Sequence, residues 1–413
     1  METTLMSTLQ NFADRVRPDR VLELTRRLVS IPSVVGNETA AMEAAAAVLK
    51  PTGATVSILA RTPERPNVVA RLQNGPGPCL VFNGHLDTVP PGNPELWESD
   101  PFQPAQRGDR LFGLGALDMK GSCAAMLHAV ELLAAHPEAW RGEIQLQLVC
   151  DEEDSGHHGT RYLIELVQAG ALPRPTWVIG GEYSDLRVMN AERGSFKFQI
   201  RFEGRSTHTA TARVDGVNAI RHASMAVLAL ERDLTRYHPE VGFPVISINK
   251  IEGGKHLSQV PSECVITVDR RLILGEDKTS ALDEVRRTLD RLAQEMPGFA
   301  YEILELRDSF GRERYGPPNA TPRDSAVVKA VREAHRLVTG AAPEWFVDWF
   351  GASDGRLFRY EGIEMVTYGP SGRGAHAANE YVEVPSLTVQ ARTCVAATIL
   401  LLQSQEPSKD GGA

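Results

Sequence analysis

Cysteine is scarce in this chain, and the little there is does not pair. Five cysteines (Cys79, Cys123, Cys150, Cys264 and Cys394) are scattered over 413 residues. An odd, dispersed set argues against a disulfide framework and against a thiolate metal site, and for a reducing compartment. Basic runs are missing too. Asp and Glu outnumber Lys and Arg by 53 to 44, for a net charge of −9, so nucleic acid is not an expected partner. The opening segment METTLMSTLQNFADRVRPDR lacks the apolar stretch of a signal peptide. The most apolar tract, 394–402, is too short to cross a bilayer and reads as a buried C-terminal helix. The expectation is a cytoplasmic protein with no membrane partner.

What is present is a globular composition, 42% hydrophobic and 23% charged, over a length that suits two domains. The first half alternates the two periodicities. Helical patterns cover 19–29, a stretch from Asn37 or Thr39 to Lys50, 121–136 and 160–169, and short apolar runs at 54–60, 67–72, 79–83, 144–150 and 177–180 read as strands. Such alternation predicts an α/β fold in three layers (αβα), with a mostly parallel sheet between helices. From Gly194 the style changes. Strands at 195–203, 244–252, 263–272 and 300–306 and helices at 216–233 and 278–295 follow the order β-α-β-β-α-β, the mark of an α+β, ferredoxin-like unit with an antiparallel sheet. After Tyr315-Gly-Pro-Pro the first style returns. The expected division is 1–193 with 309–413 for one domain, and 194–308 inserted within it.

The polar residues that follow the apolar runs carry the chemistry. In VFNGHLDTVP a strand ends on His85 and Asp87. Ligands of parallel sheets gather at strand C-termini, and a carboxylate two residues beyond an imidazole can fix its tautomer. H-x-D alone is a weak signal. In RLFGLGALDMKGSCAAM, Asp118 lies in a Gly-rich loop before a helix. A dinucleotide fingerprint would need glycine where Asp118 stands, which removes that reading. QLQLVCDEEDSGHHGT sets Asp151, Glu152, Glu153 and Asp154 just past a strand, where crowded carboxylates call for cations. WVIGGEYSD ends another strand near Glu182, and VTYGPSGRGAHAANEYV brings His376 after a Gly-rich turn. His157 and His158 read as exposed loop residues.

The order and spacing of these five clusters resemble the co-catalytic metallopeptidase family of acetylornithine deacetylase, succinyl-diaminopimelate desuccinylase, aminoacylase and glutamate carboxypeptidase. The resemblance runs from about Leu22 to Val384 and includes the phrases WESDPF, DGVNAI and VDRR. It implies a metal-dependent hydrolase with two divalent ions, zinc first, with cobalt or manganese as substitutes. The metal ligands would be His85, Asp118, Glu153, Glu182 and His376, with Asp118 bridging and followed by a cis peptide bond. Glu152 would be the general base, working with a metal-bridging hydroxide, and Asp87 would orient His85. Two Zn²⁺ against three carboxylates and that hydroxide sum to zero charge. The inserted domain would be a lid and dimerisation domain. It would bring His208 to the tetrahedral oxyanion, often from the partner subunit of a homodimer, and Arg271 and Ser258 to the substrate.

The implied reaction is cleavage of a small-molecule amide, an N-acyl amino acid or peptide-like substrate. An aminopeptidase or dipeptidase on the same scaffold is the alternative, and retention of Glu152 argues against an inactive binding homologue. Three departures from the family pattern touch lid or pocket. One extra residue and Ala212 in place of proline lie between His208 and Gly216, Ser258 replaces an asparagine, and Tyr183 replaces a proline.

Overall fold

The computed structural model describes residues 9–347, 349 and 351–403. The chain divides into two compact units. The first runs to Asn190 and resumes over Thr321–Phe346 and from Ala352. The second is Ala191–Ala320, joined by Val347, Trp349 and Gly351. It exceeds the expected 194–308 at both ends because Ala191–Glu192 pairs with Asn319–Ala320, and Tyr315–Gly316 pairs back onto Ser195 and Phe196.

A six-stranded sheet forms the middle of the first unit. Its order is Thr55–Ala60, Pro66–Asn74, Gly142–Val149, Cys79–His85, Trp177–Gly180 and Glu364–Thr367. The last four run parallel. Thr55–Ala60 and Pro66–Asn74 are antiparallel neighbours at one edge, since a link as short as 61–65 can only turn the chain back.

Side chains alternate across the sheet, and each face packs helices. Leu80, Phe82, Ile144, Leu146 and Val366 join the core made with helices Pro18–Val29, Thr39–Leu49, Gly121–Ala135, Ala326–Thr339 and Val384–Leu401. Cys79, Val81, Val178 and Met365 face the other way, against Ile164 of helix Thr160–Gln168 and Leu357 and Phe358 of helix Gly355–Tyr360. These are the expected three layers.

The C-terminal helix is longer than its most apolar tract suggests. At 18 residues Val384–Leu401 is long and apolar enough to cross a membrane, but it packs on the helices Pro18–Val29, Gly121–Ala135 and Ala326–Thr339, and 61% of it is buried. Its apolarity is that of a core helix.

The second unit has a five-stranded antiparallel sheet. Four strands lie in the order Val245–Gly253, Glu263–Leu272, Gly194–Glu203, Ala300–Glu305, which is the ferredoxin-like arrangement, and the short strand Tyr315–Gly316 pairs beside them onto Gly194–Glu203. Along Gly194–Glu203, Phe196, Phe198, Ile200 and Phe202 are buried against helices Ala219–Leu230 and Lys278–Glu295, while Ser195, Lys197, Gln199 and Arg201 are half-buried on the other face. The first of these helices is shorter than the expected 216–233. Val217 is held extended by a bridge to Arg205, and the Asn218 side chain accepts the Arg221 N–H at 3.1 Å, so the helix starts only at Ala219.

Candidate active site

Three neighbouring parallel strands deliver their polar residues to one edge of the first unit. Cys79–His85 ends on His85, Gly142–Val149 leads into Asp151-Glu152-Glu153, and Trp177–Gly180 leads to Glu182. Two loops complete the group. Asp118 precedes helix Gly121–Ala135, and its bond to Met119 is cis, as the resemblance implies. His376 lies between the short paired strands Gly372–Arg373 and Tyr381–Glu383. Asp151 and His376 are non-glycine residues with φ of 67° and 62°, the kind of backbone conformation that clusters at functional sites.

The Asp118 carboxylate stands between the two imidazoles, with Oδ1 3.1 Å from His85 Nε2 and Oδ2 3.3 Å from His376 Nε2. Glu182 lies 3.7 Å from His85 Nε2, and Glu153 lies 2.9 Å from His376 Nε2. Two donor triads result, His85–Asp118–Glu182 and Asp118–Glu153–His376, each with its ligand atoms within 4.8 Å of one another. Asp118 belongs to both.

His85 is oriented by Asp87, though by a different atom from the one expected. Its Nδ1–H donates to the Asp87 main-chain carbonyl at 2.9 Å, while the carboxylate is 3.6 Å away. A carbonyl only accepts, so Nδ1 carries the proton and Nε2 is the nitrogen that faces Asp118 and Glu182. The Asp87 carboxylate instead accepts the Glu153 N–H at 3.0 Å through Oδ2, and its buried Oδ1 has no hydrogen-bond partner.

The electrostatics fit a cation site. Burial and the neighbouring Asp118 charge push the Glu182 carboxyl up to about 8, and burial brings Asp87 to about 7. Contacts with Asp118 and Glu153 raise His376 to about 10. Burial opposes a charge on His85, but Asp118 and Glu182 hold its pKa well above the ordinary value. The carboxylates thus draw positive charge to the cluster, and a mixed imidazole–carboxylate set suits divalent zinc, cobalt or manganese. Glu152 is a member of neither triad. It lines a cavity with His85, Glu182, Ser353 and Asp354, and burial and the Asp354 charge hold its carboxyl well above the usual range.

His208, Arg271 and Ser258 belong to the second unit. His208 is exposed, and its Nδ1 accepts the Ala210 N–H at 3.1 Å, which makes Nε2 the donor nitrogen. Arg271 is engaged by Asp269 at 3.1 Å. Ser258 is exposed, and its carbonyl accepts the Thr209 N–H at 3.1 Å. His157 and His158 are half-buried rather than exposed, their rings packed edge-on at 5.0 Å.

Three further acids help to build the site. Glu380 is buried against the Asp118 loop. Asp354, in GASDGR, accepts the Thr160 hydroxyl at 2.6 Å beside Glu152. Asp151 is clamped at 2.9 Å by Arg65, which also binds Glu38 at 2.8 Å. The Gly-rich turn before a helix was a readable signal for Asp354. For the other two, nothing in the local pattern announces the partner.

The peptidase family M20/M25/M40 matches residues 81–399. A succinyl-diaminopimelate desuccinylase of Bordetella petrii is 32% identical over 376 residues, spanning 89% of this chain and 94% of that protein. Its counterpart from Delftia acidovorans is also 32% identical, with the same coverage. Among solved structures, a tripeptidase from Staphylococcus aureus superposes with a TM-score of 0.73 at 22% identity over 94% of this chain and 99% of that one. A dinuclear metal-binding M20 peptidase from Bacillus subtilis gives 0.70 at 18% identity, over 93% and 98%. The chain belongs to the M20/M25/M40 peptidase family. It is a metal-dependent hydrolase of amide bonds.

Proposed function

We propose that this chain is a cytoplasmic, homodimeric, dinuclear zinc deacylase that hydrolyses the amide bond of an N-acyl amino acid. The observation that carries the reading is the sharing of one carboxylate, Asp118, between two separate donor triads. His85, Asp118 and Glu182 would hold one ion, and Asp118, Glu153 and His376 the other, with cobalt or manganese able to substitute. When bound, such a pair polarises the scissile carbonyl and acidifies water.

The residues of the chain do the rest. Glu152, free of both triads, accepts the proton from the attacking water and returns it to the leaving amine. Asp87 fixes His85 through its carbonyl and the Glu153 backbone through its carboxylate. His208, with Nε2–H as a donor, is suited to hold the oxyanion of the tetrahedral intermediate. Arg271 and Ser258 are the proposed contacts to the substrate, with the Arg271 guanidinium held by Asp269 for a carboxylate.

Relatives named as desuccinylases of succinyl-diaminopimelate support an N-acyl amino acid as the substrate class. Tyr183, Ala212 and Ser258 differ from the family pattern at pocket and lid, so the acyl group is not carried over from those relatives. A hydrolysis screen of the zinc- and cobalt-loaded protein against N-acyl amino acids, dipeptides and aryl amides tests the proposal. Turnover of N-acyl amino acids is expected. A strict requirement for a free α-amine would make the protein an aminopeptidase or dipeptidase instead.

A further inference from the structure

Four main-chain N–H groups of the loop that carries Asp118 converge on one buried residue. Glu380 Oε2 accepts from Gly115 at 2.8 Å, and Oε1 accepts from Leu117 at 2.8 Å and from Asp118 at 2.9 Å. The Glu380 carbonyl accepts from Gly113 at 3.0 Å. Glu380 itself is 1% exposed. The loop has few other partners for these groups, because Gly113 and Gly115 turn it through positive φ and the regular helix begins only at Gly121. Left alone, each of these N–H groups would be a buried, unmade hydrogen bond. A carboxylate answers three of them with charge-assisted bonds.

Glu380 also shares a segment with His376. Both lie in the link between Gly372–Arg373 and Tyr381–Glu383, and Tyr381 pairs with Phe112 at the start of the Asp118 loop. One side chain therefore ties together the loops that bear Asp118 and His376, whose carboxylate and imidazole stand 3.3 Å apart. We propose that Glu380 is a positioning residue for the two-metal centre, aligning the shared Asp118 carboxylate with His376. This rests on the reading that the two triads each hold an ion.

The test is a Co²⁺ titration of the metal-free protein, followed by calorimetry and visible absorption, with circular dichroism as the check on fold. Wild type should take up two ions. Glu380→Gln, which trades one acceptor oxygen for a donor, should keep its fold. It should bind Co²⁺ roughly 10–100-fold more weakly, as loss of a supporting contact around metal ligands does, and with an altered spectrum. Glu380→Asp, which keeps the charge but is one methylene shorter, should show the same defect, separating reach from charge. A folded Glu380→Gln with wild-type affinity and spectrum would overturn the proposal. So would failure of both variants to fold, which would leave Glu380 as a brace of the fold alone. A wild-type protein that takes up fewer than two ions would overturn the two-metal reading itself, and this proposal with it.

Discussion

Glu152 and Glu153 are adjacent in sequence and face different surroundings. Glu153 reaches His376 at 2.9 Å, while Glu152 lines a cavity beside Asp354. Glu152→Gln should therefore lower kcat by roughly 10²–10⁴ with metal content unchanged, since it removes proton transfer and no ligand. Glu153→Gln should lose metal. Kinetics and elemental analysis of the two variants check this, and exchanged phenotypes would reverse the assignment. His85, Glu153 and Glu182 were legible because they follow apolar strands that end at one edge of a parallel sheet. Glu380 was not legible. Its partners are main-chain N–H groups more than 260 positions earlier, and a main-chain donor leaves no trace in residue type. The same holds for Asp87, whose carboxylate looked like the orienting group while its carbonyl makes the short contact.

Helices and strands were legible where burial imposes a period. Glu263–Leu272 and Lys278–Glu295 match the bounds read from the sequence, because strict alternation and a capped amphipathic pattern mark them. The short strands Ala105–Arg107, Arg110–Phe112 and Gly372–Arg373 were not. Two or three residues carry no period, yet their small sheet sets the loop that holds His376. Helix Lys278–Glu295 opens on a capping box, in which Asp277 accepts the Ser280 N–H at 2.8 Å and Ser280 Oγ lies 2.9 Å from the Asp277 N–H. Asp277→Ala should destabilise the helix by removing the acceptor for the Ser280 N–H. Urea unfolding would measure it, with a lower midpoint expected for the variant.

The proposed homodimer draws support from one side of the second unit. Strand Val245–Gly253 is an edge of its sheet, with Ile251 exposed, and the neighbouring helix Ala219–Leu230 exposes Met225 and Leu228, the latter by 76%. An exposed edge strand beside apolar helix residues can pair with its own copy about a two-fold axis. If His208 serves the partner's site, His208→Ala and Glu152→Ala should each be nearly inactive alone. Refolded as a mixture, half the dimers would be mixed, and each mixed dimer would have one complete site. About a quarter of wild-type activity should return if subunits pair at random. No recovery with mixed dimers present would remove His208 from the partner's site.

Hydrolysis by paired divalent ions is best tested by metal content and turnover measured on the same sample. Dialysis against a strong chelator should leave a folded protein without detectable metal and without activity on the N-acyl amino acid that the screen identifies. Titration with Zn²⁺, Co²⁺ or Mn²⁺ should restore turnover, reaching its plateau at two ions per chain. Full turnover in a preparation shown by elemental analysis to hold no metal would contradict it.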